Sequence, residues 1–89
     1  MLQLPPIDAA SPVPPYRQVA SHIAAAIDAG AYRPGDRLPS ITDLVGHYGI
    51  ARLTASKALA VLVERGLAEY SPGMGHYATG PGHTGGTSR

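Results

Sequence analysis

The 89-residue chain contains no cysteine, tryptophan or phenylalanine, and charged residues make up only 15% of it. Without cysteine there is no disulfide and no thiolate metal site to brace the fold, so short elements around one apolar cluster have to suffice. A chain of this size buries only about 60% of its unfolded surface, and its core is correspondingly thin. Long apolar runs are also missing. Neither Ile23-Ala24-Ala25-Ala26-Ile27 nor Ala58-Leu59-Ala60-Val61-Leu62-Val63 approaches the roughly 20 residues of a membrane-spanning helix. The opening Met1-Leu2-Gln3-Leu4-Pro5-Pro6 lacks the basic start and apolar stretch of a signal peptide. These absences are read as a chain of the cytoplasm with no membrane partner. Charge of one sign is scarce as well: 7 Lys+Arg stand against 6 Asp+Glu, a formal net charge of +1. Composition therefore gives no basic footprint of a nucleic-acid binder, and any such function has to rest on where the few cations sit.

What the sequence does have is punctuation: 9 Pro and 11 Gly, gathered toward the ends. Pro5, Pro6, Pro12 and Pro14 deny residues 1–14 the donors and dihedrals of a helix or strand, and residues 80–89 hold almost nothing to bury. Both are read as flexible tails, leaving residues 15–79 as the folded unit. Within it, Tyr16, Val19, Ala20, Ile23 and Ile27 form the apolar stripe of an amphipathic helix over about 15–29, with Pro15 in its first turn and Gly30 just past its end. A connector follows, with Pro34-Gly35 as its turn signal. Ser40 is the expected N-cap of a short second helix over about 40–48, with Asp43 three residues on in the place of a capping-box acid. Leu44, Val45 and Tyr48 are expected to face inward.

A third helix, about 52–65, buries Ala55, Ala58, Leu59 and Leu62 and closes at Gly66. The pair of helices around Gly49 has the spacing of a helix-turn-helix. Leu67–Tyr70 and His76–Thr79 read as two short strands joined by Ser71-Pro72-Gly73-Met74-Gly75. The fold class is thus mainly α with a small β-hairpin, a winged helix-turn-helix of three helices plus a two-stranded wing. Catalysis finds no support. His22, His47, His76 and His83 lack paired metal-ligand spacing, Gly73-Met74-Gly75 lacks the strand-to-helix setting of a nucleotide loop, and no Ser/His/Asp or paired-carboxylate arrangement is present. No cofactor and no metal are expected.

Several stretches taken together resemble the DNA-binding domain of the GntR family of bacterial transcription regulators. Pro15-Tyr16-Arg17-Gln18-Val19-Ala20 is similar to its opening helix, and Tyr32-Arg33-Pro34-Gly35-Asp36-Arg37-Leu38-Pro39-Ser40 to its characteristic connector. Gly49-Ile50-Ala51-Arg52 leads into the recognition helix, which contains Lys57-Ala58-Leu59-Ala60-Val61-Leu62, and Gly66-Leu67-Ala68-Glu69 opens the wing. The resemblance implies a regulator of transcription, with the start of the third helix in the DNA major groove and the wing tip near the minor groove. The residue chemistry fits. Arg52 can reach a phosphate or fork onto a guanine edge, Thr54 can bond a phosphate, and Leu53 can touch a thymine methyl. Lys57, Arg37, Arg33, Thr42 and Ser40 are further candidate contacts. Gly73 and Gly75 let the wing backbone approach the duplex, with His76 alongside.

Departures from the family pattern are informative. Thr42 stands where relatives usually carry an arginine, Ala51 where they favour Ser or Thr, Leu53 and Ser56 where they carry polar or basic residues, and Met74 near the wing tip where they carry Arg or Lys. Only residues 80–89 follow the wing, so no small-molecule effector domain is expected within this chain, which reads as a stand-alone or truncated winged helix. Few cations imply weak binding by a single copy, so a homodimer on a two-fold site or a partner regulator is expected. The other reading is a degenerate winged helix serving as a protein–protein interaction module, favoured by the poor charge and by Leu53.

Overall fold

The computed structural model describes residues 4–79. Its elements run α1 (Pro15–Asp28), α2 (Ile41–Tyr48), α3 (Arg52–Glu64), β1 (Ala68–Ser71) and β2 (Gly75–Ala78). The Gly80–Arg89 tail lies outside the described residues.

Helix α1 begins on Pro15, whose missing N–H falls where no intrahelical partner exists, and the Pro14 carbonyl accepts from the amides of Arg17 and Gln18. It ends after Asp28, one residue short of the sequence expectation. The Gly30 amide donates to Ile27 and the Ala31 amide reaches back to Ala26, a Schellman closure that needs the left-handed φ of +88° at Gly30. Helix α3 closes in the same way, with Gly66 donating to Val63 and Leu67 to Leu62. Helix α2 carries the full capping box: the Asp43 amide donates to Ser40 Oγ at 3.0 Å, and the Ser40 amide donates to Asp43 Oδ2 at 3.0 Å.

The core is a single cluster. Val19 and Ile23 of α1, Leu44 of α2, and Leu59 and Leu62 of α3 are its largest fully enclosed side chains. Each contributes about 1.5–3 kcal/mol by leaving water. Ala55 and Ala58 take the remaining buried positions of α3, Leu38 pins the connector, and Ala68 and Ala78 seat the hairpin on the helices. Val45 and Tyr48, expected to face inward, are half-buried against this cluster.

The two strands are antiparallel, with Ala68 opposite Ala78 and Ser71 opposite Gly75. Both lie one residue nearer the turn than the sequence suggested. Met74 N–H closes onto Ser71 O at 2.9 Å, so Pro72 and Gly73 take the turn corners and free Ser71 and Gly75 to pair. The connector makes the expected turn at Pro34-Gly35, closed by Asp36 N–H onto Arg33 O at 2.9 Å, and in addition lies beside β2, with Arg37 opposite Tyr77. Gly35 N–H donates to Ala78 O at 2.7 Å, Ala78 N–H to Asp36 O at 2.8 Å, and Leu38 N–H to His76 O at 2.8 Å.

The proline-rich N-terminal segment also departs from expectation. Read as a flexible tail, residues 4–14 are mostly exposed but are tied to the helices at several points, with Leu4 and Ile7 against the core. Leu4 is buried in the core, and its carbonyl accepts from His47 Nε2 at 2.9 Å. Gln18 holds the segment further along: its Oε1 accepts from Asp8 N–H at 2.8 Å, while Nε2 donates to Asp8 O at 3.0 Å and Val13 O at 2.8 Å. Proline forbids this segment a ladder of its own, and a side-chain amide supplies the partners instead.

Candidate nucleic-acid interface

Helices α2 and α3 meet at Gly49, which adopts the left-handed conformation after its amide closes onto Val45 O. This turn carries the chain into α3 with Arg52, Leu53 and Thr54 in its first turn. Arg52 and Leu53 are exposed and Thr54 is half-buried. The N-cap is Ala51, which has no side-chain acceptor, and no acidic residue occupies the first turn. The leading amides of α3 are therefore uncapped by side chains and open to an anion. A cation at this end opposes the helix dipole, so Arg52 has no local stabilising role there.

Arg52 Nη1 instead donates to Thr42 Oγ1 of α2, at 3.4 Å. Beside Thr42 is Asp43, whose carboxyl lies below its ordinary range because the Ser40 amide and then the Ser40 hydroxyl bond it, with the Arg37 guanidinium adding to the effect. Arg37 pairs with Tyr77 across an isolated antiparallel bridge, and its guanidinium lies over the wing at Gly75. A Cβ at residue 75 would sit 3.3 Å from Arg37 Nε, and φ there is +117°. The positive φ favours glycine there, and the missing Cβ leaves room for the Arg37 guanidinium. The links are pairwise: Arg52 to Thr42, Asp43 to Arg37 through their charges, and Arg37 to the half-buried Gly75, with Leu53 and Met74 exposed on α3 and the wing.

The remaining candidates take altered roles. Ser40 spends its hydroxyl on the α2 cap. Lys57 extends over the Tyr16 ring of α1, with its Nζ 5.8 Å from the ring centroid, a contact that ties α3 to α1. Arg33 is exposed in the connector, where its amide donates to Asp36 Oδ2 at 2.8 Å. Gly73 forms the wing turn. His76 packs 4.9 Å from the Tyr70 ring, and burial pushes it below the usual histidine range, so it is neutral near pH 7. Tyr70 and Met74 are both exposed on the wing.

Sequence reasoning missed the Arg37–Gly75 seat, the Gln18 clamp and the His47–Leu4 bond. The pairing of Pro34-Gly35 with a distant strand has no local signature, and Gln18 has the pattern of an ordinary solvent-facing helix residue. A second contact set sits behind the interface: the Tyr48 hydroxyl and His22 Nδ1 share a hydrogen bond at 3.0 Å. Burial, then Tyr32, pushes the Tyr48 phenol up to about 12.

Three helices followed by a paired hairpin, with an uncapped arginine-bearing helix after a tight turn, define a winged helix-turn-helix domain. Residues 15–77 match the sequence profile of the bacterial regulatory proteins of the gntR family, and the chain belongs to that family. It is 37% identical over 71 residues to the histidine utilization repressor of Klebsiella aerogenes, covering 80% of this chain and 30% of that protein. It is 41% identical over 64 residues to the mannosyl-D-glycerate transport/metabolism system repressor MngR of Escherichia coli K12, covering 72% of this chain and 27% of that one. The chain thus spans less than a third of the length of these relatives. Among solved structures, it superposes on the DNA-binding domain of AraR in complex with an operator. The TM-score is 0.78 and the identity 28%, over 88% of this chain and 99% of the other. YtrA from Sulfolobus acidocaldarius, a GntR-family transcription factor, matches with a TM-score of 0.73 and 38% identity, over 81% of this chain and 60% of that one.

Proposed function

We propose that this chain is the DNA-binding part of a bacterial transcription regulator, gripping a duplex with the start of α3 in the major groove and the wing beside the minor groove. The observation that carries this reading is the exposed start of α3, bare of any side-chain cap and bearing Arg52, which Thr42 of α2 holds. Arg52 is the principal contact to a phosphate or guanine edge. Thr54 and the uncapped α3 amides receive phosphate, Arg37 offers a second cation at the wing, and Gly73 and Gly75 admit the backbone. Thr42 serves by holding Arg52, and Ser40 by fixing the start of α2. Lys57 and His76 are secondary, the first engaged with Tyr16 and the second neutral. The activity is regulatory rather than enzymatic, in the cytoplasm, and it requires no cofactor.

So few cations make binding by one copy weak, with a log–log salt slope of roughly −2 to −4. Two copies on a two-fold site about one DNA turn apart, or a partner regulator, raise it to a useful level. Fluorescence anisotropy on duplexes selected from a random pool tests the reading. Binding that weakens with salt and drops about tenfold or more in Arg52→Ala supports it, and flat anisotropy at about 50 mM salt removes it. A second reading, a protein–protein interaction module, draws on the exposure of Leu53 (67%) and Met74 (58%). It is favoured only if Leu53→Asp abolishes regulation while Arg52→Ala leaves it intact.

A further inference from the structure

Among the described residues, Leu53 is the most exposed of the large apolar side chains, at 67%. The core does not call for it: α3 buries Ala55, Ala58, Leu59 and Leu62, and Leu53 lies off that stripe. It shares a solvent-facing row with Ser56, Lys57 and Ala60, the helix neighbours at three, four and seven residues, all of them exposed. Ser56 and Ala60 are short, and Lys57 is drawn toward Tyr16. At the leading end of α3, the side chains that extend outward are therefore Arg52 and Leu53. The buried stripe Ala55, Ala58, Leu59 and Leu62 sets the rotation of α3 and with it the outward direction of Leu53, while Arg52 bonds Thr42.

A leucine cannot exchange hydrogen bonds with a base edge. The apolar group that a duplex presents in the major groove is the 5-methyl of thymine. We propose that Leu53 is a specificity-determining residue that selects thymine by packing against this methyl, so that apolar contact supplies base discrimination where the interface is poor in cations. The proposal rests on the DNA-binding reading and deepens it by naming the base. The place of Leu53 beside Arg52, at a helix start with no side-chain cap and no acid in its first turn, favours DNA over a protein as its occupant.

The test removes one methyl group at a time. The tightest duplex selected by the full chain is remade with each thymine in turn replaced by deoxyuridine, which keeps every hydrogen-bonding group and loses only the methyl. Binding is then followed by anisotropy. One position, or two related by symmetry, is expected to weaken binding about fourfold, in line with the burial of a single methyl-sized group. In Leu53→Ala that penalty disappears, whereas in Arg52→Ala it persists on top of a general loss of affinity. Leu53 is exposed, so the alanine variant retains the fold, and its thermal melt checks this. The proposal is overturned if no thymine responds to the exchange in the unaltered chain, or if the penalty survives in Leu53→Ala. Failure of the DNA-binding reading looks different: no duplex is enriched and no anisotropy change occurs, and the proposal falls with it.

Discussion

Arg52 of the reading helix and Thr42 of the helix before it meet across the turn, guanidinium to hydroxyl, at 3.4 Å. That is the long end of a hydrogen bond, close enough to orient the guanidinium while leaving its other N–H groups free for a ligand. An arginine at position 42 would set two cations side by side, whereas threonine gives the Arg52 guanidinium a neutral support.

Arg52→Ala is expected to lower duplex affinity about tenfold or more and to reduce the magnitude of the salt slope by about one. Thr42→Val keeps the side-chain shape and removes the acceptor. It is expected to cost only about two- to fivefold with an unchanged slope, because no phosphate contact is lost. Titrations across a series of salt concentrations distinguish the two variants.

Ala51 offers no side chain to cap α3. Ala51→Ser is expected to stabilise the domain by about 1 kcal/mol. For a chain of this size that corresponds to a rise in Tm of roughly 4–8 °C, measurable by circular dichroism.

The N-terminal segment is part of the folded structure through Leu4, which is 7% exposed. Leu4→Ala is expected to cost about 2 kcal/mol, the low end of the range for a buried leucine because a chain end can settle into the space. Gln18→Ala removes the partners of Asp8 and Val13 and is expected to cost about 1 kcal/mol. Chemical denaturation should resolve both, with the leucine variant the weaker.

Burial lowers the pKa of His22 and His76 from the ordinary 6.5. Between the lowered and ordinary values the unfolded chain binds protons that the folded one does not. Stability is therefore complete above about pH 6.5 and is lost as pH falls through the folded-state values. Asp43, lowered from 3.8 by its bonds to Ser40, adds a second loss at more acid pH as the capping box is protonated. Melting temperatures followed from pH 8 to pH 3 should fall in two stages, and His22→Gln should shrink the first.

The helices and the α2 cap were legible because their signals are local: a stripe at 3–4 residue spacing, Ser40 with Asp43, Gly30 and Gly66 past the helix ends. The strands were legible to within one residue, since turn chemistry decides where pairing stops. Contacts between residues far apart in sequence were not. Nothing near Pro34-Gly35 announces β2, nothing near Leu4 announces His47, and the seat that Gly75 provides for Arg37 depends on both the connector and the wing. Composition misled in one respect, because a proline-rich stretch low in secondary structure is not thereby free of the core.

The three hydrogen bonds that lay the connector along β2 have a mechanical consequence. They anchor the wing to the segment that leads directly into α2, and α2 holds the reading helix through the tight turn at Gly49 and the Thr42–Arg52 bond. The span between helix start and wing tip is thereby set before any duplex arrives, as in a calliper locked at one opening. On the proposed DNA-binding reading, a duplex has to adjust its groove widths to that opening, which favours sites that deform cheaply even at base pairs the protein never touches.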